Sequence, residues 1–350
     1  MEEYRFFEVD GSQKSGSGTI LRLSVALSAI TKKPLHIYNI RNNRPKPGLK
    51  PQHLEAVKTA GKLCRAKIHG AKMNSKELWF IPYKNIGGNF TSSIGTAGSI
   101  SALILTVLPI CVFADNPVRL CITKGGTDVS NSPTINYMKF ILLNILKKMG
   151  IQASIKINRY GYYPKGMGEV ILKVNPSVYL KPIILDQFGK VCSVNGISVS
   201  TFLSNRKVAE RQAIAARDYL SQNGYSANIK SVYDTSNPIQ KGSSIVIWAK
   251  TSTGVIVGAD AIGAIGKSSE EIGKEAAKKL NVNIKSRATV DLNLSDMLVT
   301  FMALTKEKST FFTRILSEHL ETNIWLVEKL LDIRFKVKKI DNLYQITKNA

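Results

Sequence analysis

Segments with apolar residues at helical spacing alternate along this chain with short predicted strands, and the same order of elements recurs more than once. Residues 16–41 combine a turn of small residues, an apolar helix and a strand. Residues 94–128 repeat that order, with VRLCIT as the strand. A third copy is predicted at residues 290–315, after the strand RATVDL, with a helix that starts at Ser295 and Asp296. The pattern predicts an α/β (α+β) fold whose large domain has three repeated βα units.

Residues 184–283 interrupt this succession and have the pattern of a small α/β unit. Strands are predicted at VCSVNGISVSTF, ANIKSVYDT, SSIVIWAKT and GVIVGAD, and helices at VAERQAIAARDYLSQ and SEEIGKEAAKKL. We therefore expect a discontinuous large domain, residues 1–183 and 284–350, with a smaller α/β domain inserted at residues 184–283.

Composition adds one constraint, because the chain is strongly basic. Its 49 Lys and Arg residues against 25 Asp and Glu give a formal charge of +24 in 350 residues. That excess favours nucleic acid or a nucleotide as partner, while an anionic membrane surface or solubility alone stay open as explanations. No apolar stretch approaches the roughly 20 residues of a membrane span. The N-terminus also lacks a secretory signal, so we expect a soluble cytoplasmic protein without a membrane partner.

Several motifs follow one another along the chain in a distinctive order. They are DGSQKSGSGTILR at 10–22, IRNNRPKPGLKPQHL at 40–54, GTAGSISALILTVLP and GGTDVSNSP at 95–133, RYGYYPKGMGEVILKVNP at 159–176 and SEHLETNIWLVEKLL at 317–331. In order and separation they resemble the RNA 3′-terminal phosphate cyclases over nearly the whole chain outside the insert. The resemblance implies ATP and RNA sites between the large domain and the inserted one.

The same resemblance implies an ATP-dependent enzyme of the ligase class that acts by nucleotidyl transfer. Such an enzyme converts an RNA 3′-phosphate to a 2′,3′-cyclic phosphate, while ATP is hydrolysed to AMP and pyrophosphate through a histidine–AMP intermediate. ATP and an RNA with a 3′-phosphate end are thus the expected partners, and the oligomeric state stays open.

His319 is the expected catalytic residue, because SEHLETN matches the segment that holds the adenylated histidine in that family. Neutral imidazole can attack a phosphorus centre and later leave again. Spacing alone favours a plainer interpretation, since a histidine beside an apolar stripe is more often a packed or surface residue.

Phosphate and nucleotide binding is expected at residues of four segments. The guanidinium groups of the arginines and a Gly-rich turn before a helix both suit phosphate oxygens. For the basic residues, a solvated basic loop is the alternative interpretation. Pro133 would lie against adenine, and Asp296 would orient a base or substrate group or else cap a helix. The full set is Arg22, Arg41, Arg44, Lys46, Gln52, His53, Gly16, Gly18, Pro133, Asn293 and Asp296.

This chain also departs from the family pattern at positions that bear on the metal ion. The usual turn is GEGGGQ, and Ser15 stands where that glutamate binds a metal ion, Mg²⁺ or Mn²⁺, with Lys14 just before it. Leu105 replaces a glutamine, and Asn293 replaces an aromatic residue that often stacks on adenine. These departures leave open a second hypothesis, a catalytically weak or inactive cyclase-like protein that binds RNA as a scaffold in ribosome maturation.

Overall fold

Three of the sheets share one strand order and one set of strand directions. The computed structural model describes residues 5–237 and 239–349. In each of these sheets the first two strands are parallel and the other neighbours are antiparallel. The first sheet contains, in spatial order, β1 (Phe7–Asp10), β2 (Leu35–Tyr38), β4 (Leu78–Ile81) and β3 (Lys67–His69). The second contains β5 (Gly88–Ser93), β6 (Val118–Gly125), β8 (Gly168–Asn175) and β7 (Gln152–Arg159). The third contains β9 (Ile184–Leu185), β14 (Ser309–Thr313), β16 (Leu343–Lys348) and β15 (Phe335–Ile340).

Helices cross between these strands and bring their apolar faces together. They are α1 (Gly18–Thr31), α2 (Pro51–Cys64), α3 (Ile100–Val112), α4 (Ile135–Tyr137), a π-helical turn (Met138–Leu142), α5 (Leu143–Lys148), α8 (Leu292–Ala303) and α9 (Glu318–Leu331). Helix α1 packs against α2, α3 and α9, and α8 packs against α9. Almost every residue of α1 between Ile20 and Ala29 is buried, as its apolar sequence requires. The first and last helices of the fold are therefore direct neighbours.

A fourth sheet lies between β9 and α8 in sequence. Its spatial order is β11 (Ala227–Asp234), β10 (Val191–Thr201), β12 (Gly242–Thr251) and β13 (Ile256–Ile262). A 3₁₀ turn (Ser204–Arg206), α6 (Val208–Gln222) and α7 (Ser269–Ser286) complete this unit, and α6 and α7 pack on each other and on the sheet. The division into domains remains a prediction. Strand β9 pairs with β14 outside this unit, and α7 extends three residues beyond the predicted boundary at residue 283.

The prediction for residues 287–296 was wrong in two respects. RATVDL is not a strand; instead, the N–H groups of Thr289 and Val290 both donate to the carbonyl of Phe312. Helix α8 begins at Leu292 rather than at Ser295 and Asp296, because the carboxylate of Asp291 accepts from the Leu294 N–H and caps it. Asp291 has the short acceptor side chain of a good N-cap, and it comes one turn earlier.

The α/β fold class is confirmed by these mixed sheets and their helices. Across residues 5–237 and 239–349, no helix is both long and apolar enough to cross a membrane.

Candidate active site

The Gly-rich turn between β1 and α1 connects the two ends of the chain. The backbone N–H of Ser15 donates to Thr322 Oγ1 on α9 at 3.2 Å, across 307 positions of sequence. Ser17 caps α1 by accepting from the Thr19 N–H at 3.2 Å. The Gly-rich turn therefore contacts α9 directly, within one helical turn of His319, the expected catalytic residue.

His319 is the second residue of α9 and its side chain is exposed. Its pKa is lowered by partial burial and by the charges of Arg22 and Arg44, although Glu318 acts in the opposite direction. The positive charges of both guanidinium groups therefore act on the ring and favour its neutral form at pH 7. A neutral ring has the lone pair that nucleophilic attack requires.

Three arginines surround the turn, and each keeps donors to spare. Arg22 Nη2 donates to Thr19 Oγ1 at 3.2 Å, and Arg44 Nη2 donates to the carbonyl of Ser15 at 3.1 Å. Arg41 Nη1 donates to two carbonyls of its own loop, each at 2.8 Å. Because a guanidinium has five N–H donors, these bonds leave several for an anion. Burial and the charge of Arg41 lower the pKa of Arg22 to about 10, so that Arg22 remains protonated at pH 7.

His53 lies against Gly18 and is buried. A Cβ on Gly18 would come within 2.2 Å of His53 Nε2 and 3.0 Å of Arg22 Nη1, so only glycine fits there. The Lys50 N–H donates to His53 Nδ1 at 3.3 Å. Burial and the charges of Arg22, Arg41 and Lys50 lower the pKa of His53 to about 2, which keeps this ring neutral. Gly16 has a φ of +53° and packs on Asn43.

Gln52 and Pro133 are connected through the N-terminus of α3. Gln52 Oε1 accepts from the Ser99 N–H at 2.8 Å, and Ser99 Oγ and Ser132 Oγ share a hydrogen bond of 2.6 Å. Ser132 immediately precedes Pro133, so this chain of contacts holds the loop of Pro133 beside α2 and α3. Gln52 therefore has a structural contact, and its role in phosphate or nucleotide binding remains a prediction.

Asp296 contacts the N-terminus of α9. Its Oδ1 accepts from Ser317 Oγ at 2.6 Å, and Ser317 Oγ in turn accepts from the Leu320 N–H at 2.9 Å to cap α9. Burial raises the pKa of Asp296 to about 6, although the bond from Ser317 opposes the rise. The alternative that Asp296 caps its own helix was wrong, because Asp291 does so and Asp296 lies in the second turn.

Two of the expected residues have no side-chain hydrogen bond to the rest of the described chain. Lys46 is exposed and contributes only its carbonyl, to Arg41, while Asn293 lies half-buried on α8, one turn before Asp296. Neither side chain is hydrogen-bonded to the arginines around the turn.

Neither Ser15 nor Leu105 offers a charged ligand for a divalent ion. Ser15 is buried and its hydroxyl pairs with Ser17 Oγ at 3.0 Å, while Leu105 is an apolar residue packed against the core. Nowhere in residues 5–237 and 239–349 do three or more His, Cys, Asp or Glu side chains group so that they could hold a metal ion. Mg²⁺ and Mn²⁺ prefer carboxylate and carbonyl oxygens, and neither Ser15 nor Leu105 supplies a carboxylate.

Two residues of this region were missed by the sequence reasoning. Ser317 is a serine immediately before a helical pattern, which is a recognisable cap signal, but its second bond to Asp296 has no local signal. Thr322 contacts Ser15 from the far end of the chain, and nothing in its neighbourhood in sequence indicates this.

Comparison with known proteins places this geometry in context. The family model for RNA 3′-terminal phosphate cyclase matches residues 13–337. A protein named RNA 3′-terminal phosphate cyclase from Pyrococcus furiosus is 44% identical over 330 residues, 94% of either chain. Proteins of the same name from Pyrobaculum aerophilum and Methanosarcina barkeri are 41% and 40% identical, and each alignment covers 97% of this chain and 96% and 99% of theirs.

Proposed function

Because this chain belongs to the RNA 3′-terminal phosphate cyclase family, we propose that it converts the 3′-phosphate of an RNA into a 2′,3′-cyclic phosphate. ATP is the proposed co-substrate and yields AMP and pyrophosphate. The observation that carries the proposal is the position of His319, an exposed neutral imidazole whose pKa responds to Arg22 and Arg44. The cytoplasm is the proposed place of action.

The first proposed step is adenylation of His319. The unprotonated ring nitrogen attacks the α-phosphorus of ATP, the N–P bond forms, and the bond from that phosphorus to the bridging oxygen breaks to release pyrophosphate. Arg22 and Arg44 stabilise the charge that develops on the phosphoryl oxygens. Backbone N–H groups of the Gly-rich turn and the N-terminus of α1 add further positive potential.

The second and third steps transfer AMP and close the ring. An oxygen of the RNA 3′-phosphate attacks the phosphorus of the adenylate, the N–P bond breaks, and His319 leaves as a neutral ring. The neighbouring 2′-hydroxyl then attacks the 3′-phosphorus, loses its proton, and expels AMP. Arg41 and Lys46 are proposed to hold the RNA phosphate, and Pro133, Asn293 and Asp296 to surround the adenine nucleoside. No step is assigned to Mg²⁺ or Mn²⁺, because the described residues contain no group of three or more His, Cys, Asp or Glu side chains placed to hold an ion.

Labelling with ATP radioactive at the α-phosphate tests the proposal. We expect acid-labile, alkali-stable label on the protein that is lost in His319→Ala and retained in His69→Ala, a control at an exposed histidine on β3. Addition of RNA with a 3′-phosphate should discharge the label and produce a phosphatase-resistant end. If no label forms at any divalent-metal concentration while RNA still binds, the scaffold hypothesis replaces this one.

The pH dependence of labelling is a second measurement. Since the pKa of His319 is below its usual value, the ring stays neutral as pH falls below 6.5. The labelling rate should therefore decline at a lower pH than an unperturbed histidine would give. A midpoint above 6.5 would contradict the proposed environment of the ring.

A further inference from the structure

The loop between β7 and β8 carries three tyrosines in different environments. Tyr160 is half-buried, and its Oη accepts from Asn136 Nδ2, three residues after Pro133, at 3.1 Å. Tyr162 is buried. Tyr163, by contrast, is 78% exposed and forms no hydrogen bond or ring contact with the described residues. The loop therefore presents a free aromatic ring at the surface.

This loop is held in place by the unit that lies between β9 and α8. Asn237 is fully buried, and its Nδ2 donates to the carbonyls of Tyr160 and Gly166 at 2.8 and 3.0 Å. The backbone N–H of Lys165 donates to Gln240 Oε1 at 3.2 Å. These bonds fix the loop on both sides of the exposed ring. A ligand that stacks on the ring therefore meets a backbone that is already ordered, which lowers the entropic cost of binding.

The loop also borders the candidate active site. A Cβ on Gly166 would lie 2.9 Å from the Cα of Ala97. The next residue, Gly98, packs on Gln52, which is expected to bind phosphate, because a Cβ on Gly98 would lie 2.8 Å from the Gln52 Cβ. Since consecutive Cα atoms are about 3.8 Å apart, these contacts place the backbone of Tyr163 within about 25 Å of Gln52. An RNA whose 3′-phosphate is bound at the site therefore reaches Tyr163 with a nucleotide upstream of its end.

Two exposed lysines lie close to the ring along the chain or across the fold. Lys165 follows it by two residues, and Lys241 precedes Gly242, whose Cα faces the ring of Tyr162. Neither lysine side chain forms an ion pair or hydrogen bond with a described residue. Asp234 of β11 is only partly exposed, and its carboxylate already accepts from two hydroxyl groups, at 2.8 and 2.6 Å. The two unpaired ammonium groups favour a polyanion at this surface.

We propose that Tyr163, Lys165 and Lys241 form a docking surface for single-stranded RNA upstream of its 3′ end. The ring of Tyr163 stacks on a base, and the two lysines contact backbone phosphates. Because every base has a face that can stack, the surface binds RNA without sequence preference. This inference rests on the proposed function, since it assigns a place to the body of the RNA whose 3′-phosphate is cyclised.

RNA binding by Tyr163 variants is the first test. The probe is a single-stranded RNA of about ten nucleotides with a 3′-phosphate and a 5′ fluorophore, and binding is measured by fluorescence anisotropy without ATP. Tyr163→Ala removes the stacking ring, and we expect its Kd to rise about tenfold. Tyr163→Phe keeps the ring and should remain within about twofold of the unmodified chain.

Tyr83 provides a matched control. It is 79% exposed, and its backbone N–H donates to the carbonyl of Cys64, the last residue of α2. Gln52 is the second residue of that 14-residue helix, so Tyr83 lies about 20 Å from the end that the tyrosine loop borders. Tyr83→Ala should keep the Kd within about twofold. Equal Kd values for Tyr163→Ala and Tyr83→Ala would overturn the assignment of Tyr163.

RNA with a single abasic nucleotide identifies the stacked base. At one position upstream of the 3′ end, loss of the base should raise the Kd of the unmodified protein about tenfold and leave the Kd of Tyr163→Ala unchanged, because the ring is already missing. Additive losses at every position would overturn stacking on Tyr163.

The salt dependence of binding tests the two lysines. Lys165→Gln and Lys241→Gln should each reduce the slope of log Kd against log salt by about 0.7, whereas Lys32→Gln, at an exposed lysine after α1, should not change it. Unchanged slopes in both variants would overturn the role of the lysines. These measurements are made without ATP, so failure of the labelling experiment with the expected binding results would reject only the proposed reaction.

Discussion

Replacing Ser317 by alanine removes two hydrogen bonds that meet at one hydroxyl group. Ser317 Oγ accepts from the Leu320 N–H at 2.9 Å and donates to Asp296 Oδ1 at 2.6 Å. Loss of an N-cap costs about 1 kcal/mol, and loss of a hydrogen bond to an ionised group costs about 1.5 kcal/mol or more. The second contribution depends on pH, because burial raises the pKa of Asp296 from 3.8 to about 6.

At pH 8 Asp296 is ionised in the folded protein, whereas at pH 5 it is mostly protonated and needs the hydroxyl donor less. We therefore expect Ser317→Ala to lower the free energy of unfolding by about 2.5 kcal/mol at pH 8 and by about 1.5 kcal/mol at pH 5. Urea unfolding at both pH values measures this, and hydrogen exchange of the amides of Glu318–Leu320 localises it to the first turn of α9. Ser317→Thr keeps the hydroxyl and should stay within about 0.5 kcal/mol.

An equal loss at both pH values would refute the coupling between Ser317 and the charge of Asp296. A loss below about 0.5 kcal/mol at either pH would refute the capping role itself. If both expectations hold, adenylation of His319 should also slow in Ser317→Ala, since the first turn that carries the ring becomes less ordered. Measurement of the labelling rate beside the exchange data relates the two effects.

Other expectations concern the buried groups around the site. Gly18→Ala should weaken binding of an ATP analogue and lower the free energy of unfolding by about 2 kcal/mol, because the new Cβ meets His53 Nε2 at 2.2 Å. If this clash is the cause, the double variant with His53→Ala should recover stability. Tyr137→Phe removes the 2.5 Å bond from Tyr137 Oη to the buried carboxylate of Asp291 and should cost about 2 kcal/mol in urea unfolding at pH 8, with less at pH 5 because the pKa of Asp291 is about 6. Burial raises the pKa of Asp128 from 3.8 to about 7, so the folded protein holds a proton that the unfolded chain lacks and its stability falls as pH rises from 4 to 7. Asp128→Asn removes the contribution of this carboxyl, while Asp291 and Asp296 keep theirs. The free energy of unfolding of the variant relative to the unmodified chain should therefore improve between pH 5 and pH 8 by on the order of 2 kcal/mol, and a parallel pH dependence of the two chains would contradict this.

Local pattern was sufficient for most of the elements. Helix α6 spans the predicted segment VAERQAIAARDYLSQ from end to end, and each strand of the fourth sheet falls within a predicted segment or within two residues of one. These elements follow from spacing, since apolar residues at a period of 3.6 or 2 must share one face. The predicted start of α8, at Ser295 and Asp296, was wrong because Asp291 caps the helix one turn earlier, at a position that was predicted to belong to a strand.

The sequence by itself determined the helices and strands of the segment between β9 and α8, because propensity and periodicity act over a few residues. The residues of the candidate site came from the family resemblance, and their roles remain predictions. Only the tertiary structure decided that Ser15 bonds to Thr322, that the charges of Arg22 and Arg44 act on His319, and that Asp296 holds Ser317. Such contacts depend on how α1 packs against α9, and that packing is set by the fit of whole apolar surfaces. The pKa values follow from the same packing, since burial and neighbouring charge exist only once the chain has folded.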